Sequence, residues 1–221
     1  DIAPGEYVDQ RLLRHLIPEN RKRTYDIHEI IRTISDVDTF IELQGGFAKS
    51  LVTGLMRIDG RAVGVLANNP RHLSGVIDSD AANKATHFMQ LCDTQRLPLL
   101  SLCDTPGFMV GPDSERAGAL RHGGQMFTTA ANLSVPFFTV VLRRGYGLGA
   151  QAMAGGSFYA GTFTISWPSG EFGGMGLEGA VQLGHRRELD AIEDPLARKQ
   201  REREIFDDLF ARGKATNVAK F

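Results

Sequence analysis

Three glycines at alternate positions, Gly145, Gly147 and Gly149, separate an apolar run from a stretch of helix-forming residues. The apolar run, Phe137–Leu142, is rich in Val and Phe, as is typical of a strand buried on both faces. Residues 150–154 are mostly good helix formers. The pattern predicts a strand, a tight turn and a helix N-terminus. Such a turn leaves backbone N–H groups unpaired, and the helix dipole adds partial positive charge there. It could therefore hold an anion, or an oxygen on which negative charge develops.

Three interpretations of this turn compete. The glycines could serve packing alone, by letting a helix lie close to a strand. Gly145, Gly147 and Ala150 also fit the G-x-G-x-x-G/A pattern of dinucleotide binding. That pattern usually opens a domain and is followed about 20 residues later by an acidic residue at a strand end. Here it lies deep in the chain, and the next strand-like run ends in Trp167-Pro168. We therefore expect no nicotinamide or flavin nucleotide to bind, and an oxyanion hole is the third interpretation.

A second strand end carries a comparable turn. Leu97–Cys103 predicts a buried strand, and residues 104–108 read Asp-Thr-Pro-Gly-Phe. Because proline followed by glycine forces a sharp turn, we expect the N–H groups of Gly107 and Phe108 to be free and to point into a cleft. Ligands of open α/β sheets sit outside the carboxyl ends of the strands. Because two turns would supply N–H groups to one cleft, the oxyanion-hole interpretation is favoured over packing alone and over dinucleotide binding.

The composition is that of an ordinary globular protein. The 221 residues are enough for one substantial core, with 42% apolar and 23% charged residues. A net charge of −1 gives no case for binding nucleic acid or an anionic membrane. Two cysteines, Cys92 and Cys103, indicate no disulfide framework, and no apolar run approaches the length of a membrane span. The histidines form no cluster with cysteine, so no metal site is predicted.

The elements that would position the two turns alternate between strands and helices, which predicts an α/β layered fold. Residues 1–24 are polar and interrupted by prolines, and we interpret them as a linker or arm. Pro112–Glu115 is expected to be loop, and no clear element closes the chain. The predicted strands are 40–43, 51–58, 61–67, 97–103, 137–142 and 163–167, and the predicted helices follow Asp26 or cover 80–97, 116–133, 177–181 and 194–210.

Several motifs occur along the chain in an order that is typical of one protein family. They are Tyr25-Asp26 ahead of a Phe-Ile-Glu strand, Asp-Thr-Pro-Gly-Phe at 104–108, Arg-His-Gly-Gly at 121–124, Arg-Arg-Gly-Tyr-Gly-Leu-Gly-Ala at 143–150 and Met-Gly-Leu-Glu-Gly-Ala-Val at 175–181. The set resembles the C-terminal half of the carboxyltransferase subunit of biotin-dependent acyl-CoA carboxylases, over nearly the whole chain. The resemblance implies a crotonase-like fold, a spiral of β-β-α units, for residues 25–221, with the domain truncated at both ends.

The resemblance also implies a reaction and a site. Carboxyl transfer would run from N-carboxybiotin to the α-carbon of a short-chain acyl-CoA of the acetyl or propionyl class. The implied catalytic groups are the backbone N–H groups of Leu148 and Gly149, as the oxyanion hole on the biotin side. The implied substrate-binding residues are Gly107, Phe108, Gly147, Ala150 and Gln151. Many relatives carry glycine where this chain has Leu148, and a Cβ there limits φ.

Further expectations follow from the same resemblance. The partners would be a biotin carboxyl carrier, a biotin carboxylase component, an N-terminal carboxyltransferase half and further copies of the chain, in the cytoplasm or in a mitochondrial matrix. A decarboxylase subunit of the methylmalonyl-CoA or glutaconyl-CoA type, and a non-catalytic biotin-binding half, remain as alternatives. A hydratase of the same fold uses a glutamate just after the glycine turn. The side chain there is Gln151, which cannot ionise, so hydration chemistry is disfavoured.

Five charged residues near the turns have simpler interpretations. Glu178 is expected to charge a helix start, and Glu171 to be a solvated loop residue. Asp104 could be catalytic or could cap the turn that follows it. Of Arg143 and Arg144, one is expected to meet an anionic group and the other to face solvent.

Overall fold

The computed structural model describes residues 5–219, so the first four residues of the predicted arm and the last two of the predicted domain lie outside the described residues. Within that range the chain builds a seven-stranded mixed sheet in the order β1-β2-β3-β4-β5-β6, with β7 beside the end of β5. β1 to β3 pair antiparallel, and all later pairings are parallel. The strands are β1 (Ile41–Leu43), β2 (Leu51–Ile58), β3 (Arg61–Asn68), β4 (Leu99–Thr105), β5 (Phe137–Tyr146), β6 (Phe163–Ser166) and β7 (Glu171–Gly173).

Helices occupy most of the chain between and after these strands, which confirms the α/β prediction. They are α1 (Leu13–Leu16), α2 (Ile27–Ile34), α3 (Ser79–Thr94), α4 (Pro112–Arg116), α5 (Ala119–Ala131), α6 (Gly147–Met153), α7 (Leu177–Gly184), α8 (Arg186–Asp190), α9 (Pro195–Gly213) and α10 (Ala215–Val218), with 3-10 turns at Gln10–Leu12 and Leu73–Gly75.

The two faces of the sheet bury separate apolar clusters, because successive strand residues point to opposite faces. Leu99 and Val141 belong to one cluster, to which α3, α5 and α6 contribute. Leu102 and Leu142 belong to the other cluster, with the isoleucines of α2. The sheet therefore lies between helices on both faces, as an α/β layered fold requires.

Local signals placed several elements correctly. The Asp26 carboxylate accepts a hydrogen bond from the backbone N of His28 at 3.0 Å and caps α2, as predicted. The hairpin of β2 and β3 turns at Asp59 and Gly60, whose φ values of 51° and 75° suit a two-residue hairpin turn.

Four expectations about the elements were wrong. Residues 112–116 form the short helix α4 instead of a loop. The following helix begins only at Ala119, because Gly118 is left-handed with φ 80° and interrupts the helical path. A further strand, β7, follows the strand that was expected to be last. Where no clear element was expected, the short helix α10 follows α9, and a backbone pairing of Lys214 with Glu171 places its start beside β7.

Part of the predicted arm packs on the domain. Leu13, Leu16 and Ile17 contact the cluster under α2. The domain boundary at residue 25 stays a prediction. These contacts nevertheless bring the arm next to the carboxyl end of β5, where one of its side chains reaches the candidate site.

Candidate functional site at the two glycine turns

The two predicted turns leave neighbouring strands at the same edge of the sheet. β4 ends at Thr105 and β5 at Tyr146, and the two strands are parallel partners with Thr105 opposite Gly145. Because the carboxyl ends of parallel strands meet at one edge, the turns 106–108 and 147–149 lie side by side. The structure brings the two turns together, as the sequence predicted.

Gly149 lies directly against the first turn. A Cβ built on Gly149 would stand 2.7 Å from both the Cα and the carbonyl carbon of Gly107, and 3.0 Å from the backbone N of Phe108. No real side chain fits at these distances, so only glycine allows this approach. The glycine at this position is therefore required by the contact between the two turns.

The helix after the second turn begins earlier than expected, at Gly147 instead of Ala150. The first N–H groups of a helix have no partner within the helix, and the N-cap residue Tyr146 provides no side-chain cap. The N–H groups of Gly147, Leu148 and Gly149 therefore begin α6 without intrahelical partners. The N–H groups of Leu148 and Gly149 are the two expected at the oxyanion hole, and that role stays a prediction.

The positive φ of the second turn falls on Gly147, at 58°, and Leu148 is not among the described residues with positive φ. The Cβ of Leu148 is therefore tolerated at this position. Gly147 itself packs on the backbone, since a Cβ there would stand 3.0 Å from the carbonyl oxygen of Gly174. The Leu148 side chain is 63% exposed beside the turn.

One predicted donor of the first turn is already used. The N–H of Gly107 donates to the Thr105 hydroxyl at 3.1 Å, so it is not free. The carbonyl of Gly107 accepts from the backbone N of Ile77 at 3.1 Å, and the backbone N of Met109 donates to the Ile77 carbonyl at 2.8 Å. These bonds fix the turn. The backbone N of Phe108 lies beside Gly149 at the start of α6, and its role as a free donor stays a prediction.

The other two predicted substrate residues lie on α6. Ala150 is completely buried in the core cluster that α6 shares with α3 and α5. Gln151 is half-buried, and its backbone carbonyl accepts from Gly156 at 2.9 Å. The roles assigned to both residues stay predictions.

Asp104 is neither exposed to the cleft nor a cap of its own turn. It is completely buried, and its carboxylate accepts from the Tyr25 hydroxyl at 2.8 Å. It also pairs with the guanidiniums of Arg143 at 3.1 Å and Arg144 at 2.7 Å. The expectation that one arginine faces solvent was wrong, because both converge on this carboxylate. We refer to these four residues as the Asp104 cluster.

The charge state of the Asp104 cluster follows from its contacts. Burial alone would raise the pKa of the Asp104 carboxyl, but Arg144 and Arg143 hold that pKa below its ordinary value of 3.8. Burial, reinforced by the charge of Asp104, raises the pKa of the Tyr25 phenol well above 10. The cluster therefore contains an ionised carboxylate and a neutral phenol at neutral pH. It joins the segment just before α2 to β4 and β5 beneath the turns.

Glu171 was expected in a solvated loop, but it is buried at 3% exposure as the first residue of β7. Its two carboxylate oxygens accept from Nε and Nη2 of Arg21, each at 2.8 Å. Sequence reasoning did not pair these two residues, because Arg21 lies in a charged run and Glu171 follows a glycine, and neither context indicates a buried partner. Glu178 lies in the first turn of α7, as predicted.

Residues 5–219 offer neither a membrane-spanning helix nor a metal-binding cluster. None of their helices combines the length and apolar character needed to cross a bilayer. They also hold no group of three or more His, Cys, Asp or Glu side chains arranged for a metal ion.

The sequence profile of the carboxyl transferase domain matches residues 3–217. This chain belongs to the carboxyl transferase domain family. It is 36% identical to the propionyl-CoA carboxylase carboxyltransferase subunit of Haloferax mediterranei, over 94% of this chain and 40% of the relative. It is 37% identical to the methylmalonyl-CoA carboxyltransferase 12S subunit of Propionibacterium freudenreichii subsp. shermanii, over 99% of this chain and 42% of the relative. The chain thus spans about two-fifths of the length of these relatives.

Solved structures give the same family. A single-chain, multi-domain long-chain acyl-CoA carboxylase matches with a TM-score of 0.90 and 47% identity, over 98% of this chain and 21% of that chain. The β subunit of the P. aeruginosa geranyl-CoA carboxylase matches with a TM-score of 0.85 and 32% identity, over 97% of this chain and 41% of that chain. The expected crotonase-like carboxyltransferase fold is confirmed.

Proposed function

We propose that this chain is the C-terminal half of the carboxyltransferase of a biotin-dependent acyl-CoA carboxylase. In this proposal it supplies the oxyanion hole for the biotin side of the reaction. The observation that carries the proposal is the contact of Gly149 with Gly107, which places the start of α6 against the 106–108 turn. Membership of the carboxyl transferase domain family supports the same conclusion.

The residues at the turns fit the urea group of biotin. Backbone N–H groups at a helix start are neutral donors in a region of partial positive charge, which suits an oxygen that becomes negative. The glycine at 149 keeps a side chain out of the space between the two turns. When bound, carboxybiotin supplies the carboxyl group that is transferred.

Each residue of the turn has a separate task in this proposal. Leu148 and Gly149 hold the urea oxygen through their N–H groups, and Gly147 gives the chain the positive φ that directs those groups outward. Phe108 aligns the first turn against them. Gln151, just past the turn, is assigned to the acyl pocket on the resemblance alone, and it offers no ionisable group to the acyl chain.

Two classes of acyl-CoA are candidate substrates. The curated relatives named for propionyl-CoA, at 35% to 38% identity, support a short-chain acyl-CoA of the acetyl or propionyl class. A longer acyl chain is the second candidate. It is favoured by the long-chain acyl-CoA carboxylase at 47% identity, and by the exposed apolar side chains of Leu148 and Met175 beside the turn.

The proposed partners supply the steps of carboxyl transfer that the two turns of this chain do not. The biotin carboxylase and biotin carrier would load and deliver the carboxyl group, and an N-terminal carboxyltransferase half would hold the thioester oxygen. The relative from Haloferax mediterranei is a carboxyltransferase subunit, and the similar transcarboxylase 12S structure is a hexamer assembly. We therefore propose that the complete site forms where this chain meets that half, within a homo-oligomer.

The test is the decarboxylation of malonyl-CoA or methylmalonyl-CoA with free biotin as acceptor, with and without the N-terminal half. We expect turnover only when both halves are present, because each half supplies one oxyanion hole. Turnover by this chain alone would contradict the proposal. Running the forward reaction with ATP, bicarbonate and acyl-CoAs of increasing length then separates a carboxylase from a decarboxylase and identifies the acyl class. A reconstituted complex that binds biotin without turnover would favour a non-catalytic half.

A further inference from the structure

Arg21 lies in the predicted arm, yet its side chain reaches the back of the second glycine turn. Its Nε and Nη2 donate to the two carboxylate oxygens of Glu171, each at 2.8 Å, and Nη2 also donates to the Tyr146 hydroxyl at 3.2 Å. These partners are 150 and 125 residues away along the chain. A planar guanidinium that grips a carboxylate with two parallel bonds fixes its orientation as well as its distance.

The two partners of Arg21 border the start of α6. Tyr146 is the last residue of β5 and the N-cap of α6. Glu171 is the first residue of β7, which pairs with the end of β5. Gly174 follows β7, and its carbonyl oxygen lies against Gly147. A shift of either partner would therefore move the backbone from which the N–H groups of the turn project.

Arg21 is itself held in place by α9. Its guanidinium carbon lies 4.5 Å from the ring centroid of Phe210 and 5.2 Å from that of Phe206. These rings favour a cation over their faces. Burial alone would lower the pKa of the Arg21 guanidinium, but the contacts with Glu171 and Tyr146 raise it above its ordinary value. The guanidinium of Arg21 is thus a charged group that belongs to the arm and contacts α9 and the two strands at the site, β5 and β7.

We propose that Arg21 is a positioning residue, which sets the N-terminus of α6 against the 106–108 turn through Glu171 and Tyr146. Only the catalytic consequence of this proposal rests on the proposed function, since the positioning of α6 is a property of the fold. It makes part of the predicted arm a component of the site scaffold.

The first test measures amide hydrogen exchange and needs no catalysis. Arg21→Gln is compared with Arg11→Gln, a matched control on the same arm, where the arginine is 84% exposed and, among residues 5–219, pairs with Asp9. We expect Arg21→Gln to raise exchange at least about tenfold in peptides covering 146–156 and 170–176, because amides of a loosened helix start open more often. The Arg11 variant should match the wild type. Unchanged exchange in the Arg21 variant would overturn the proposal.

The second test uses the complete carboxyltransferase that contains this chain. Arg21→Gln should lower kcat by about 10²-fold with little change in KM for acyl-CoA, because a misplacement of about 1 Å can cost that much. Arg21→Lys should recover part of the loss. A wild-type enzyme without activity would defeat the proposed function, while the exchange result would still decide the positioning role.

A double variant covers the case in which Arg21→Gln fails to fold. Arg21→Gln with Glu171→Gln removes both charges and leaves no unpaired buried carboxylate. We expect the double variant to regain the melting temperature of the wild type but not its kcat. A glutamine at 21 cannot form two parallel bonds to residue 171 and also bond to Tyr146. Recovery of kcat along with stability would show that the pair serves stability alone, and would overturn the proposal.

Discussion

Gly149 and Gly107 are in backbone contact, so close that a Cβ on Gly149 would stand 2.7 Å from the Cα of Gly107. The two residues come from turns that follow different strands, and each turn is fixed to the sheet by its own bonds. The contact therefore defines the distance between the start of α6 and the 106–108 turn. A change at Gly149 tests that distance directly.

Gly149→Ala should separate the two turns. The added Cβ meets backbone atoms, which cannot move aside as the end of a side chain can. We expect a loss of about 1–3 kcal/mol in the free energy of unfolding, as is usual for overpacking, together with a lower kcat. Gly124→Ala on α5 is the control, because a Cβ there meets nothing within 4 Å. Chemical denaturation and steady-state kinetics measure both effects, and equal behaviour of the two variants would contradict the contact.

Gly149→Pro removes the N–H that we assign to the biotin urea oxygen. Proline also brings a Cβ, so Gly149→Ala is its matched control, and the difference between the two isolates the donor. We expect kcat of the proline variant to fall a further 10²–10³-fold, roughly the cost of losing one oxyanion donor. Gln151→Ala should instead alter KM or acyl preference more than kcat. A folded proline variant with the kcat of the alanine variant would show that the turn serves packing.

The sequence predicted the two turns because their signals are local. Glycine at alternate positions after an apolar run, and proline followed by glycine after another, each mark a strand end. Parallel strands then bring such ends to one edge without further information. The turns at Gly107 and Gly149 could therefore be placed together before the structure was known.

The supporting contacts could not be predicted from the sequence. Arg21 and Glu171 are 150 residues apart, and each stands in a polar neighbourhood that is typical of a solvated loop. Asp104 reads as a turn residue because its partners, Tyr25 and the arginines of β5, come from distant elements. Burial of a charge depends on its partner, and the spacing along the chain does not reveal that partner.

Asp104→Asn tests the Asp104 cluster. Removing one partner of a buried ion pair leaves Arg143 uncompensated, with only 5% of its side chain exposed. We expect the free energy of unfolding at pH 7 to fall by at least about 3 kcal/mol. Tyr25→Phe is the milder comparison, since it removes a single hydrogen bond to the carboxylate and should cost about 1.5–3 kcal/mol. An Asp104→Asn variant as stable as the wild type would show that the cluster does not stabilise the fold.

The same residue makes the stability depend on pH. The pKa of Asp104 in the folded protein lies below its ordinary value of 3.8, so the folded state keeps the ionised form more strongly than the unfolded chain does. Its stabilising contribution is complete above pH 3.8 and is lost as the pH falls through the lower, folded pKa. Acid unfolding of the wild type should therefore be steeper over that range than that of Asp104→Asn. Parallel slopes would contradict this assignment.

Leu148 offers a test of the acyl class. Its side chain is 63% exposed at the turn, and Met175, which is 44% exposed, follows Gly174, the residue whose carbonyl oxygen lies against Gly147. If the acyl chain runs over this surface, Leu148→Ala should lower kcat/KM for long-chain acyl-CoAs and leave acetyl-CoA unchanged. Partial burial of a leucine by a ligand is worth about 1–2 kcal/mol, so the ratio of long-chain to short-chain kcat/KM should fall about 5–30-fold in the complete enzyme. Leu196→Ala on α9 is the control, because that leucine is 78% exposed and lies on a different element. An unchanged ratio in the Leu148 variant would place the acyl chain away from this leucine and would remove the support that its exposed side chain gives to a long-chain substrate.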